Sequence, residues 1–223
     1  MFDPTGWLRH IPEGRFGKID TGEETQIMAR LVVVEGLSLD GVMQAPGSPD
    51  EDRSGGFEHG GWQMPYFDQV AGEEAGKSMA ETGAFLFGRK TYEIMAAHWP
   101  NQPDDDMFAK VLNGLPKYVA STTLEEPLEW AGSALLKRDV AEAVAELKEE
   151  QEGNIVVLGS GQLARYLLEH DLVDQWSLMI HPLLLGGGKR LFDEAGGMRP
   201  MRLVDSKIST TGVILATYRP EGH

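Results

Sequence analysis

Along the chain, short continuous apolar runs alternate with segments of helical period. Leu31-Val32-Val33-Val34 is apolar without interruption, the pattern of a strand whose sheet is covered on both faces. Ala84-Phe85-Leu86-Phe87, ended by Gly88, Tyr118-Val119-Ala120-Ser121, and Ile155-Val156-Val157-Leu158, stopped by Gly159, read the same way. Helical segments separate them: Tyr66–Glu81, a helix starting near Thr91, and one capped by Asp139, whose Val140, Ala143, Val144 and Leu147 recur at helical spacing. Gln162–His170 is a short helix and Gln175–His181 a further strand. Met201–Ser209 and Val213–Arg219 flank a Thr-Thr-Gly turn as a terminal hairpin. Strands alternating with helices, then a hairpin, predict an α/β domain: a mixed, mostly parallel central sheet, helices on both faces and a C-terminal antiparallel hairpin.

Two segments depart from this rhythm. Residues 1–27 are rich in Gly, Pro and charge with no sustained apolar period, which predicts an extension outside the core and leaves 28–223 as a single domain. Gly41–Gly61 holds repeated Gly, two Pro and several acids, which describes a long mobile loop. With 223 residues and 41% hydrophobic content, one sizeable core is expected. No apolar run reaches the roughly 18 residues of a membrane span, and no basic region precedes an apolar stretch at the N-terminus, so a cytoplasmic chain is expected. The absence of cysteine excludes disulfides, thiolate metal sites and a thiol nucleophile. The six histidines show no metal-ligand spacing, so no metal site is expected. A formal charge of −15 removes the electrostatic attraction on which nucleic-acid affinity depends, but it does not forbid a local anion site.

Ligands of open α/β sheets collect beyond the carboxyl ends of the strands, and three such ends carry suitable chemistry. At Gly88-Arg89-Lys90-Thr91, two cations and a hydroxyl open a helix: either an anion site or a solvated basic turn with Thr91 as N-cap. At Gly159-Ser160-Gly161-Gln162-Leu163-Ala164, the G-x-G-x-x-A spacing lets backbone N–H groups approach a pyrophosphate, or makes a plain Gly-rich turn. At Ser121-Thr122, hydroxyls could bind phosphate or start a turn. Gly186-Gly187-Gly188-Lys189-Arg190 does not make a phosphate loop, because Leu183 replaces the first glycine and Arg190 the metal-binding hydroxyl. Among the acids, Glu35 interrupts the apolar first strand, where a carboxylate needs a partner or a raised pKa, and Asp40 follows that strand.

Taken in order, these pieces resemble the dihydrofolate reductase-like superfamily, in the branch related to the reductase domain of bacterial riboflavin biosynthesis. The resemblance covers about Arg30 to Pro220 and rests on Ser38-Leu39-Asp40-Gly41, Leu86-Phe87-Gly88-Arg89-Lys90-Thr91-Tyr92-Glu93, Val157-Leu158-Gly159-Ser160-Gly161, and Leu172-Val173-Asp174 leading to Pro182-Leu183-Leu184-Leu185-Gly186-Gly187-Gly188. It implies the three-layer fold of that superfamily, a bound NADPH and hydride transfer to a small pterin-like, pyrimidine-like or other C=N or C=O substrate. Under the resemblance, Gly88, Arg89, Lys90 and Thr91 hold phosphates, Ser121 and Thr122 contact the adenosine phosphate, and Gly159, Ser160, Gly161, Gln162 and Leu163 form the turn beneath the pyrophosphate. Trp62 resembles the tryptophan of a loop that closes over nicotinamide, and Asp68 lies near the position of a pterin-recognising acid. With Glu35 and Asp40 these make the candidate catalytic set. A homodimer is expected from the hairpin, from the apolar segment Trp176–Leu185 and from the family's habit. A nucleotide-binding module without turnover is the alternative.

Overall fold

In the computed structural model, which describes residues 29–103, 105–137, 139–192 and 197–221, the apolar runs become the middle of one eight-stranded sheet. Its strands are β1 (Leu31–Ser38), β2 (Thr82–Gly88), β3 (Lys117–Ala120), β4 (Ser133–Leu136), β5 (Asn154–Leu158), β6 (Gln175–His181), β7 (Met201–Ile208) and β8 (Ile214–Pro220). They lie side by side in the order β4-β3-β2-β5-β1-β6-β8-β7. The first six are parallel, and β8 and β7 add antiparallel pairings at one edge. The expected extension of residues 1–27 lies outside the described residues.

Side-chain alternation divides the core into two layers. Leu31, Val33 and Leu37 of β1 pack with Leu86 on the face covered by α4 (Val140–Glu150) and α5 (Gly161–Glu169), through Val144, Leu163, Ala164 and Leu167. Val32 packs with Phe85 and Phe87 on the opposite face, under α2 (Arg89–His98) and α3 (Met107–Gly114), through Tyr92 and Leu112; Met79 of α1 (Gln69–Ala80) joins them. Burying each such side chain contributes roughly 1.5–3 kcal/mol, which explains why these strands carry no polar alternation.

Several boundaries differ from the sequence reading. The helix expected over Tyr66–Glu81 begins at Gln69, because Asp68 accepts the Ala71 N–H as an N-cap and Met64–Tyr66 forms a separate 3-10 turn. The first strand runs on to Ser38 and therefore includes Glu35. Ser121 falls just beyond its strand. Helix α3 and strand β4 had not been expected. The segment Gly41–Gly61, expected as a mobile loop, is packed: Val42 bridges Arg190, Phe57 is buried, and the Gln44 side chain donates to the Asp52 and Ser54 carbonyls and accepts the Lys189 N–H.

The connections determine where a ligand can sit. From β2 the chain moves outward through α2 and α3 to β3, on one face; from β5 it moves the other way through α5 to β6, on the other face. Neighbouring strands whose crossovers diverge leave a crevice at their carboxyl ends, and in this fold β2 and β5 are that pair. Near the opposite end their register shifts at Gly83, where a Cβ would fall 1.8 Å from the Glu152 carbonyl oxygen, so the bulge needs glycine.

Candidate cofactor and substrate site

Two helices begin at this crevice. Gly88 ends β2 and stands as N-cap of α2, and Ser160 follows β5 and stands as N-cap of α5. Thr91 lies inside α2, so it is not the cap. Gly159 and Ser160 both adopt left-handed backbone, with φ of 67° and 65°, a conformation cheap for glycine and unusual for serine. Ser160 is held there from outside: its Oγ accepts the Gly88 N–H at 2.9 Å, so it bonds across the crevice and does not cap its own helix. A Cβ on Gly159 would meet Thr91 Cγ2 at 3.4 Å, which places Thr91 directly against the glycine turn. The first-turn N–H groups of Gly161, Gln162 and Leu163 have no side-chain cap from Ser160, and their orientation and the helix dipole favour an anion in front of them.

The structure therefore brings together Gly88 and Thr91 with Gly159, Ser160 and Gly161, although Gly88 and Ser160 are 72 positions apart along the chain. Arg89 and Lys90 are exposed at the same helix start, with Arg89 loosely paired to Glu93 at 3.9 Å. Gln162 is exposed, whereas the Leu163 side chain is buried in the core and presents only its backbone to the crevice. Ser121 follows Ala120, which pairs with Gly88, so the β3 end adjoins the cradle. Its Oγ accepts the Thr123 and Leu124 N–H groups and shapes the turn, and Thr122 is exposed beside it.

The four candidate catalytic side chains are not clustered. Glu35 alternates onto the face of Val33 and Leu37 and is 4% exposed, with Oε2 sealed and unpartnered. Burial, reinforced by the negative charge of Glu51 and partly offset by the Gly36 N–H, raises its carboxyl to about 8. Asp40 accepts from the Ser38 hydroxyl at 2.7 Å and from the N–H groups of Leu185 and Gly186, which lowers it to about 2 and ties the β1 end to the loop after β6. Asp68 accepts from the Thr210 hydroxyl and N–H, both at 2.6 Å, as well as from Ala71, and is likewise lowered to about 2. It thus joins the start of α1 to the β7–β8 turn. Trp62 is buried against Val42, Ala45 and Phe57, and its Nε1 donates to the Gln44 carbonyl at 2.8 Å, so here it anchors the loop.

Sequence reasoning missed a group at the ends of β1 and β6. His181 is 3% exposed, and its Nδ1 meets the carbonyls of Leu37 and Met179 at 3.2 and 3.0 Å. Nδ1 must carry the proton to satisfy them, and burial lowers the ring's pKa and keeps it neutral. Trp62 and Tyr66 meet the imidazole edge-on, with centroids 5.1 and 5.8 Å away. The available signal was a histidine closing an alternating strand just before Pro182. Nearby, a cleft of about 460 Å³ opens between the loops after β1 and β6, lined by Gln44, Phe57, His59, Leu185 and Lys189 among others. No described helix is long and apolar enough to cross a membrane, and no metal-binding group of His, Asp and Glu occurs among the described residues.

A parallel α/β sheet with two helix starts at a switch-point crevice and an antiparallel hairpin at its edge defines the dihydrofolate reductase-like class. The chain belongs to the RibD C-terminal domain family, whose pattern matches residues 29–215. An uncharacterized protein of Bacillus subtilis (strain 168), YyaP, is 29% identical over 140 residues, covering 61% of this chain and 73% of its own. A candidate riboflavin biosynthesis protein from Shewanella sp. PV-4 superposes with a TM-score of 0.62 at 22% identity, over 86% of this chain and 99% of its own. Dihydrofolate reductase from Enterococcus faecalis, solved with NADP(H) and RAB-propyl, superposes with a TM-score of 0.55 at 14% identity, over 86% and 96% of the two chains.

Proposed function

We propose that the protein is an NADPH-dependent reductase that transfers a hydride to a small heterocycle, pterin-like or pyrimidine-like, or to another C=N or C=O substrate. The observation that carries this reading is the convergence of the α2 and α5 N-termini, locked by the Ser160–Gly88 hydrogen bond, on a crevice bordered by the left-handed turn at Gly159. The residues present fit a dinucleotide. Gly88, Arg89, Lys90 and Thr91 with Gly159, Ser160, Gly161, Gln162 and Leu163 would hold its pyrophosphate through backbone N–H groups and helix dipoles. Arg89, Ser121 and Thr122 would hold a 2′-phosphate. The bound cofactor supplies the hydride, and the protein contributes orientation and electrostatics. Of the three candidate acids, Glu35 alone keeps its proton near neutrality, and it is sealed in the core, so no proton transfer to the substrate is assigned to these carboxyls.

NADPH is expected to bind much more tightly than NADH, because a charge-assisted contact to the 2′-phosphate is worth roughly 1.5–3 kcal/mol. Calorimetric titration of both cofactors checks this, and Arg89→Ala should weaken NADPH by about tenfold or more while leaving NADH unchanged. Equal affinities would remove the phosphate clamp. Cofactor binding without absorbance loss against any heterocycle would favour the non-catalytic module.

The same reading includes a homodimer. β7 is an edge strand, and Leu203, Val204, Ile208 and Ile214 of the hairpin are exposed at 50, 40, 73 and 40%. An apolar edge of this kind invites pairing with a second copy. Light scattering should give twice the 24.5 kDa chain mass, and the chain mass at every concentration would exclude the dimer.

A further inference from the structure

Gly161 opens α5 without the left-handed backbone that marks Gly159, so its conformation does not call for glycine. Its surroundings do. A Cβ at that position would fall 2.4 Å from Met43 Sδ and 3.1 Å from Met43 Cε, and Arg165 Nη1 lies 3.8 Å from the same point. The bare first residue of the helix is therefore covered by a thioether, with a guanidinium beside it. Met43 reaches it from the loop after β1, is partly exposed, and packs against the core layer under α5.

Both side chains belong to the join between α5 and two paired loops. The Met43 N–H donates to the Lys189 carbonyl at 2.8 Å and the Leu191 N–H to the Gly41 carbonyl at 3.2 Å, which ties the loop after β1 to the loop after β6. Arg165 Nη1 donates to the carbonyls of Arg190 and Leu191 at 2.9 and 3.2 Å, which ties that pair of loops to the helix. A thioether is a weak acceptor and competes poorly for the guanidinium, so the join holds while Met43 is reduced. A sulfoxide in the same place is polar, and its oxygen is a far stronger acceptor.

We propose that Met43 is a modification site, oxidised by a peroxide, and that its sulfoxide opens this join at the start of α5. The sulfur lone pair attacks one oxygen of hydrogen peroxide, the S–O bond forms as the O–O bond breaks, and water leaves with both protons; the sulfur loses two electrons and the peroxide gains them. The new oxygen takes the Arg165 guanidinium from the Arg190 and Leu191 carbonyls, and the loops separate from the helix. Gly161, whose N–H belongs to the anion site, then loses its cover. The consequence for the cofactor rests on the reductase reading: NADPH is held less tightly once Met43 is oxidised, and reduction of the sulfoxide restores it.

The test treats the full chain with hydrogen peroxide, maps each sulfoxide by peptide mass spectrometry, and titrates NADPH by calorimetry before and after. Met64, Met107 and Met198, exposed at 56, 62 and 94%, oxidise readily and serve as internal controls, since none of them belongs to the join. In the wild type, NADPH affinity should fall about tenfold or more in step with the Met43 sulfoxide, the effect of losing one hydrogen bond of a charged group, and return after treatment with methionine sulfoxide reductases. Met43→Leu keeps the volume and removes the sulfur, so its treated and untreated samples should bind NADPH alike. Met43→Gln, which carries an acceptor oxygen at similar length, should bind NADPH more weakly than Met43→Leu with no peroxide present. Hydrogen exchange at the Met43 and Leu191 amides reads the join without cofactor and should quicken on oxidation. Met43 left unoxidised when the control methionines are converted, unchanged exchange after its oxidation, or an equal loss of affinity in Met43→Leu would overturn the site. Unchanged NADPH affinity in the oxidised wild type would overturn its link to the cofactor. Failure of the untreated protein to bind NADPH would instead strike the reductase reading, and amide exchange alone would then decide the join.

Discussion

Glu35→Gln is expected to flatten the pH dependence of stability, with the variant gaining about 5 kcal/mol on the wild type between pH 4.5 and pH 9. The magnitude is the free-energy equivalent of a carboxyl held at about 8 in the folded chain against 4.5 in the unfolded one. The sign follows from proton counts. Between those two values the folded chain keeps a proton that the unfolded chain has released, so rising pH favours unfolding, and the loss is complete once Glu35 ionises in the fold. Glutamine has the same shape and no titration, so the other groups cancel in the comparison. Urea unfolding of both proteins across this range measures the difference, and parallel stability curves would show that the carboxyl is solvated or paired. The consequence for function is that a buried neutral acid stands in the central strand at working pH, on the side of the sheet that carries α5.

Lys117→Met should cost about 2–4 kcal/mol of stability, although the two side chains have similar length. Lys117 is completely buried, and its Nζ donates to the carbonyls of Leu112, Asn113 and Leu115 at 2.9, 3.2 and 2.8 Å, closing the C-terminus of α3. The ammonium also lies 4.7 Å from the centre of the Trp130 ring, which adds a cation–π attraction. Methionine fills the volume but leaves carbonyls without a donor, and a buried unsatisfied polar group costs roughly 1–3 kcal/mol. Denaturant melts at neutral pH check the loss. Because Lys117 opens β3, whose far end leads to Ser121, the variant should also show weaker NADPH binding if that strand loosens. A melting curve matching the wild type would mean that the α3 carbonyls have found other donors.

The sheet's interior was legible in the sequence because strands covered on both faces must be apolar at every position, a local signal that distant residues do not blur. The turn that starts α5 was legible for a related reason: a left-handed turn and a helix start require glycine and small polar residues at fixed spacing, as in Gly159-Ser160-Gly161. β4 escaped notice because its four residues are all partly or fully exposed and carry no burial pattern. Asp68 and Asp40 stood out as acids, yet their partners lie 142 and 145 residues away at Thr210 and Leu185. Local spacing holds no trace of such pairings. Likewise, that the Nδ1 of His181 is tied to the Leu37 and Met179 carbonyls and that Trp62 stands beside its ring follow from how β6 and the loop after β1 pack. Sequence by itself determined the elements whose requirement is local, namely periodicity, backbone conformation and helix starts. Tertiary structure alone decided which polar groups are sealed, paired or free, because burial and hydrogen-bond partners are properties of neighbours brought together by the fold.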